Sequence, residues 1–236
     1  MAGRAPRPEG SVADARARQQ ALARGVEPRD RMAGSLRTIA GFAVGFEDGG
    51  ATVRAAAVLL DAVSLDVMHD AIARLPATTP YVPGLLSFRE LPALLGALEA
   101  LPEPPDLAFV HGHGIAYPGG LGIAAHFGVA TGLPTIGVAG KVLLGSGPEP
   151  HQTRGAYTAL RDPDRRQIGW LLRSRPGCPP LVVSPGHRVA MASAADLVMR
   201  CVTRHRLPEP TRLAGALVSG SAGRPTGDNR LQVPEE

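Results

Sequence analysis

The stretch LAFVHGHGIAYPGG, Leu107 to Gly120, decides how the rest of the chain is read. Leu107 to Val110 is apolar and short enough for one buried strand. The glycines after it leave the backbone bare, and Leu121 to Thr131 then resumes as an amphipathic helix. Apolar strand, glycine loop and helix in succession form the unit at which α/β proteins place their chemistry. The strand ends in His111, and His113 follows after one glycine. Alternate residues of an extended chain share a side, so the two form an HxH pair; without a third His or Cys at the usual spacing, this is a weak zinc signal.

Upstream, three β-like runs, Thr38 to Phe46, Thr52 to Leu60 and Leu65 to Leu75, are separated only by EDGG and AVS. Such tight turns make neighbours antiparallel. Val12 to Arg24 reads as a helix with an arginine-studded wet face. A second helix starts near Ser87, which can cap it with Glu90 as capping-box partner; Pro92 in or just past the first turn makes that start irregular. Downstream lie a strand at Pro134 to Val138, a hairpin of Ala156 to Arg161 with Gln167 to Arg173 around DPDRR, a strand at Leu181 to Val183, and a helix from Ser193 to His205. Three antiparallel strands followed by alternating helix and strand predict an α/β layered domain with a mixed central sheet flanked by helices. The ends of the first and fourth strands and the start of the second helix then converge at one edge, near Ala43, Glu90 and His111. Residues 1–11 and 219–236 are Pro-, Gly- and Arg-rich and read as a disordered lead-in and tail, leaving 12–218 as one domain.

Composition sets limits. Aromatic residues at 4% mean that the core is built from Leu, Val, Ile and Ala. A formal charge of +4 suggests affinity for polyanions without establishing it. The cations are almost all arginine, a bias that a GC-rich genome produces by itself. Cys178 and Cys201 give neither a disulfide framework nor metal spacing, which fits a reducing, cytoplasmic compartment. No apolar run approaches a membrane span and the N-terminus lacks a signal-peptide core, so no membrane partner is expected.

Several residues carry two readings each. Glu90 is either a metal ligand or a cap. His126, on a helix, reads as a packed or surface histidine. His187, in a glycine turn after a strand, is either catalytic or phosphate-contacting, or a turn histidine bonded to backbone. In Pro80-Tyr81-Val82-Pro83-Gly84, two prolines stiffen a loop around one tyrosine, which either wedges between bases or folds inward.

Taken together, TTPYVPGLLSFRELPALL, HGHGIAYPGGLGIAAHFG, LPTIGVAGKVL, PGHRV and RLPEPTR, preceded by IAGFAVGFEDGG and VRAAAVLL, resemble in order and spacing the bacterial endonuclease V family, over about residues 12 to 215. The resemblance implies an RNase H-like fold, a monomer, and Mg²⁺-dependent cleavage of DNA, or RNA in some branches, 3′ to deaminated bases such as inosine. It implies metal-binding aspartates at the positions of Ala43 and His111, a helix glutamate kept as Glu90, and a lysine at the position of Gly140, with Lys141 one place on. The family's H-P and following basic pair fall at Tyr117-Pro118 and Gly119-Gly120. The resemblance also implies that His187 is the retained G-H-R histidine beside Arg188 and that Tyr81 carries the lesion wedge. The base-pocket backbone is expected at Gly112, Gly114, Ile123, Gly137 and Leu143.

Mg²⁺ is hard and wants oxygen ligands, whereas imidazole at position 111 suits Zn²⁺ or another borderline ion. His111 therefore reads as a lost ligand. The leading expectation is a pseudoenzyme that binds deaminated nucleic acid with cleavage lost or severely impaired. The alternatives are an active nuclease with Mn²⁺ or Zn²⁺ on Glu90 and His111, and a protein-binding scaffold.

Overall fold

The computed structural model describes residues 12–32 and 34–220, and its sheet is built outward from β1 (Thr38–Glu47), buried on both faces along most of its length as a central strand is. A turn at Asp48–Gly50 returns the chain antiparallel as β2 (Thr52–Asp61), and a second turn returns it as the edge strand β3 (Val67–Pro76). The last strand starts later than the sequence predicts. Leu65 takes φ 62° inside the turn, where the Asp61 carboxylate accepts the Val63 and Ser64 amides at 2.9 and 2.8 Å.

After helix α2 (Leu86–Glu99), β4 (Leu107–His111) lies parallel to β1, and after α3 (Ile123–Thr131), β5 (Thr135–Ala139) lies parallel to β4. A hairpin, β6 (Tyr157–Arg161) with β7 (Gln167–Leu172), precedes β8 (Leu181–Pro185), which runs antiparallel to both β7 and β5. The eight strands take the order β3-β2-β1-β4-β5-β8-β7-β6, the mixed sheet that the sequence predicts. On one face Phe42, Val110, Leu94 and Phe127 form a core beneath α2 and α3. On the other, Phe109, Val138, Val198, Ala214 and Val218 form a core beneath α4 (Met191–Arg200) and α5 (Glu209–Val218). Helix α1 (Val12–Ala23) packs on α3 and on the Pro118–Gly120 turn.

Four sequence expectations need correction. Ser87 does not cap α2: Leu85 stands at the cap without a side-chain bond, and Ser87 is buried in the first turn with its hydroxyl 3.1 Å from His126 Nδ1. The helix runs straight through Pro92. Helix α3 begins at Ile123, not Leu121, and is buried nearly all round because α1 and α2 cover the side away from the sheet. Helix α4 runs from Met191 to Arg200, stopping short of His205, and α5 is a further helix that the periodicity reading lacks. Its start, Pro208-Glu209-Pro210, looks like a breaker, yet proline is compatible with a first turn, where the missing N–H has no intrahelical partner. Residues 1–11 and all of the expected tail except Ser219 and Gly220 lie outside the described residues. Among the described residues no helix is long and apolar enough to cross a membrane.

Candidate nucleic-acid interface

Because β1, β4 and β5 are parallel, their C-terminal ends share one edge, and three of the expected site positions lie there. The register Phe42↔Val110 puts Ala43 and His111 one residue further along adjacent strands, and His111 pairs in turn with Val138. Ala43 belongs to the apolar cluster of Ala56, Ala214 and Val218 and is only 1% exposed. Glu90 approaches from α2, which packs on the opposite face. The Arg89 guanidinium bonds the Gly50 carbonyl and sits 4.8 Å over the Phe46 ring, so it pins the start of α2 to the end of β1.

The electrostatics of this edge run against a divalent cation. Burial pushes the Glu90 carboxyl up to about 8 against the downward pull of Arg89, although the side chain keeps a partial opening to solvent. Its charge also reaches Tyr117, whose phenol is raised by burial first and by Glu90 and Tyr81 after it. Burial lowers the His111 pKa, and the charges of His113 and Arg206 lower it further. One nitrogen of His113 is withdrawn from ligation. Its Nε2 lies 2.9 Å from the Lys141 carbonyl, which can only accept, so that nitrogen carries the proton. Mg²⁺ requires several hard oxygens. Position 43 supplies none and is sealed, position 111 supplies a nitrogen, and among the described residues no three His, Cys, Asp or Glu side chains form a metal-binding group. The residues present do not fit the ion.

The tyrosine loop does form an exposed tip. Tyr81 is 52% exposed between exposed Pro80 and Pro83, while Val82 turns inward to a groove of about 660 Å³ shared with Arg18, Phe88 and His126. Behind the tip, buried Gln19 of α1 donates to the Gly84 carbonyl at 2.7 Å and to the Pro118 carbonyl at 3.4 Å. One amide thus ties the Tyr81 loop to the turn next to Tyr117. Nothing in the sequence marks Gln19, which sits on a helix that otherwise reads as wet. Gly112 and Ile123 adjoin: Gly112 has φ 149°, and a Cβ there would come within 2.5 Å of Ile123 Cγ2. Gly114 and Gly137 are buried against each other's backbone, whereas Lys141 and Leu143 are exposed on the loop beyond β5.

His187 and Arg188 are not part of this edge. Since β8 is antiparallel to β5, the turn after it lies at the N-terminal end of β5, where the Thr135 amide donates to the His187 carbonyl at 2.8 Å. His187 Nδ1 accepts the Glu27 amide at 3.2 Å, and Arg188 Nη1 donates to the Gly132 carbonyl at 2.6 Å. Both residues fasten the segment after α1 to the sheet. His126 is a packed histidine, held by Ser87 and by the Phe88 ring edge, centroids 4.6 Å apart.

The cation beside the site is one that the sequence reading passed over. Arg206, in the connection between α4 and α5, donates through Nε to Pro179 at 2.8 Å and through Nη2 to Pro180 at 3.0 Å and Gly140 at 3.1 Å, all carbonyl oxygens.

The profile of the family described as Endonuclease V matches residues 20–216. This chain belongs to the endonuclease V family. An endonuclease V of Xanthomonas axonopodis pv. citri is 57% identical over 211 residues, 89% of each chain. The crystal structure of endonuclease V from Streptomyces avermitilis matches with TM-score 0.83 at 40% identity, covering 90% of this chain and 93% of that one. An aspartate-to-asparagine variant of the endonuclease V of Ciona intestinalis, crystallised in complex with a 23mer DNA containing an inosine followed by a ribo-adenosine, shares the fold with TM-score 0.79 at 21% identity over 91% of this chain and 98% of its own. The mixed sheet is therefore the RNase H-like fold of endonuclease V structures.

Proposed function

We propose that this member of the endonuclease V family recognises deaminated, inosine-containing DNA or RNA and that its Mg²⁺-dependent phosphodiester cleavage is lost or severely reduced. The observation that carries the reading is the state of position 43: an alanine, 1% exposed, walled by Ala56 and Val218 at the strand ends where the metal would have to sit. Hydrolysis of this kind needs a metal to activate water and to neutralise charge on the phosphoryl oxygens. Losing one preorganised charge at such a site costs on the order of 10²–10³ in rate, and the substitutions at 43 and 111 fall within one site. Recognition is supported by what remains: the exposed Tyr81 tip, the adjoining Gly112 and Ile123, and exposed Leu143 and Lys141 on the loop beyond β5. The inosine-bearing DNA held by the Ciona intestinalis protein is consistent with this substrate class.

The test is incision of an inosine-containing oligonucleotide in Mg²⁺, Mn²⁺ and Zn²⁺, alongside the Ala43→Asp/His111→Asp double variant. The parent is expected to bind and not to cut, and the double variant to cut in Mg²⁺. Robust incision by the parent in Mn²⁺ or Zn²⁺, abolished by Glu90→Ala, would establish the altered-metal nuclease instead. That reading draws on Glu90 and His111 as the acid and the imidazole that remain at the family's metal-ligand positions. Equal and negligible affinity for inosine-containing and undamaged strands would refute the binder and leave the scaffold.

A further inference from the structure

We infer that the outer edge of β3 pairs antiparallel with the same edge of a second copy of this chain, joining the two sheets across a two-fold axis at Ile72. The inference is independent of the nucleic-acid reading, and it departs from the monomer that the family resemblance implies.

The ladder fixes which backbone groups of β3 are left over. The Ala77 amide bonds the Ala51 carbonyl, and this pair continues the β2–β3 register by one step. From His69 onward the odd-numbered residues of β3 therefore exchange hydrogen bonds with β2. The other flank of β2 agrees: the Ala62 amide bonds the Arg37 carbonyl, which assigns the even-numbered residues of β2 to β1. The N–H and C=O groups of Asp70, Ile72 and Arg74 thus point away from β2, and among the described residues no strand pairs with them. An open edge of this length is a template for another strand. The strand also keeps apolar side chains exposed at both ends, Val67 and Met68 at one and Leu75 at the other.

Charge selects the occupant and the register. Edge strands commonly carry charges that repel a second copy. Here the two charges have opposite sign and stand either side of Ile72. Across a two-fold axis, residue i of one copy meets j of the other, and j meets i. With Ile72 opposite Ile72, the open backbone groups face each other, and Asp70 of each copy stands opposite Arg74 of the other. Opposite charges so placed stabilise a strand pair. An axis at Asp70 or at Arg74 sets like charges together, and an axis at Ala71 or Ala73 matches neither charge with its opposite. Exposed Asp70 makes no ion pair among the described residues. Arg74 meets Glu47 through Nε at 3.0 Å, and its side chain stays half exposed, as a guanidinium that takes a second carboxylate requires. On the other face of the strand the same register sets Ala71 against Ala73, small enough for the backbones to close. Pro76, with no N–H, ends the pairing just beyond Arg74.

Sedimentation equilibrium of the full chain, with amide exchange followed residue by residue, tests the inference. The parent is expected to be a dimer in which the Asp70, Ile72 and Arg74 amides are protected. Asp70→Arg and Arg74→Asp each set like charges opposite one another, so each variant alone is expected to be a monomer with those amides unprotected. Mixed in equal amounts, the two variants recover both opposite-charge pairs and are expected to form a mixed dimer, which chains that had failed to fold would not do. A parent that stays monomeric up to its solubility limit overturns the inference. Protected amides in such a monomer would show that another segment of the chain covers the edge. A dimer unmoved by either substitution, or two monomeric variants that stay apart when mixed, overturns it equally.

Discussion

A β-carbon on Gly41 would begin 1.8 Å from the Pro210 carbonyl oxygen, so α5 rests directly on the backbone of β1. Gly41→Ala must push backbone off backbone, and overpacking of this kind typically costs about 1–3 kcal/mol. The expected outcome is a lower urea midpoint with amide exchange accelerated first in α5. A second residue sets a pH limit. Burial lowers the His126 pKa from 6.5 to about 4, with Arg18 adding to the effect. Between those values the unfolded chain binds a proton that the folded chain refuses. Stability is therefore complete above pH 6.5 and drains away as pH falls toward 4, by about 3 kcal/mol for this one group. His126→Gln should flatten that acid limb: its urea midpoint should drop less than the parent's between about pH 7 and about pH 4.5, and equal drops would disprove the assignment.

Elements were legible where spacing decides them and obscure where direction does. The hairpins β1–β2 and β6–β7 follow from short turns, and the β4–loop–α3–β5 unit follows from LAFVHGHG and its glycines. The direction of β8 does not follow, because the sequence does not say whether the chain after β7 returns parallel or antiparallel to β5. That single unknown moved His187 and Arg188 from the expected site to the far edge of the sheet. Ser87 misled for a related reason. It has the chemistry of a cap but sits two residues past the cap position, in the first turn, facing His126. Gln19 was invisible because its role depends on two loops 65 and 99 residues away. Gln19→Ala removes a buried donor to the Gly84 carbonyl, a loss worth about 1–3 kcal/mol where the acceptor stays dry. Faster proteolysis or amide exchange at residues 78–85 and 115–120 together is expected; loosening of one segment without the other would show that Gln19 does not couple them.

At the scale of the whole molecule, the described residues form three buried apolar clusters, and position 43 belongs to the one beneath α5. Carboxylates restored at 43 and 111 would stand at strand ends with little water, so Ala43→Asp/His111→Asp should melt below the parent in EDTA and recover part of the difference in Mg²⁺. The parent's melting temperature should not respond to Mg²⁺. A parent stabilised by millimolar Mg²⁺ would contradict the reading of this edge. The small aromatic content forecast an aliphatic core, and the structure has one, with only Phe42, Phe109 and Phe127 among its largest buried side chains being aromatic. Net charge said less, because a surplus of +4 spread over the chain does not reveal that Arg206 is held on the carbonyls of Pro179, Pro180 and Gly140.

The sealed alanine also bears on the order in which two acids could be introduced. An acid introduced at 43 alone would face Ala56 and Val218 with neither solvent nor ion to balance it, and an acid at 111 alone would still lack its neighbour. An acid at 43 alone should therefore cost fold stability while supplying only one of the two ligands. An acid at 43 is thus the costlier of the two to introduce, because that position is the sealed one.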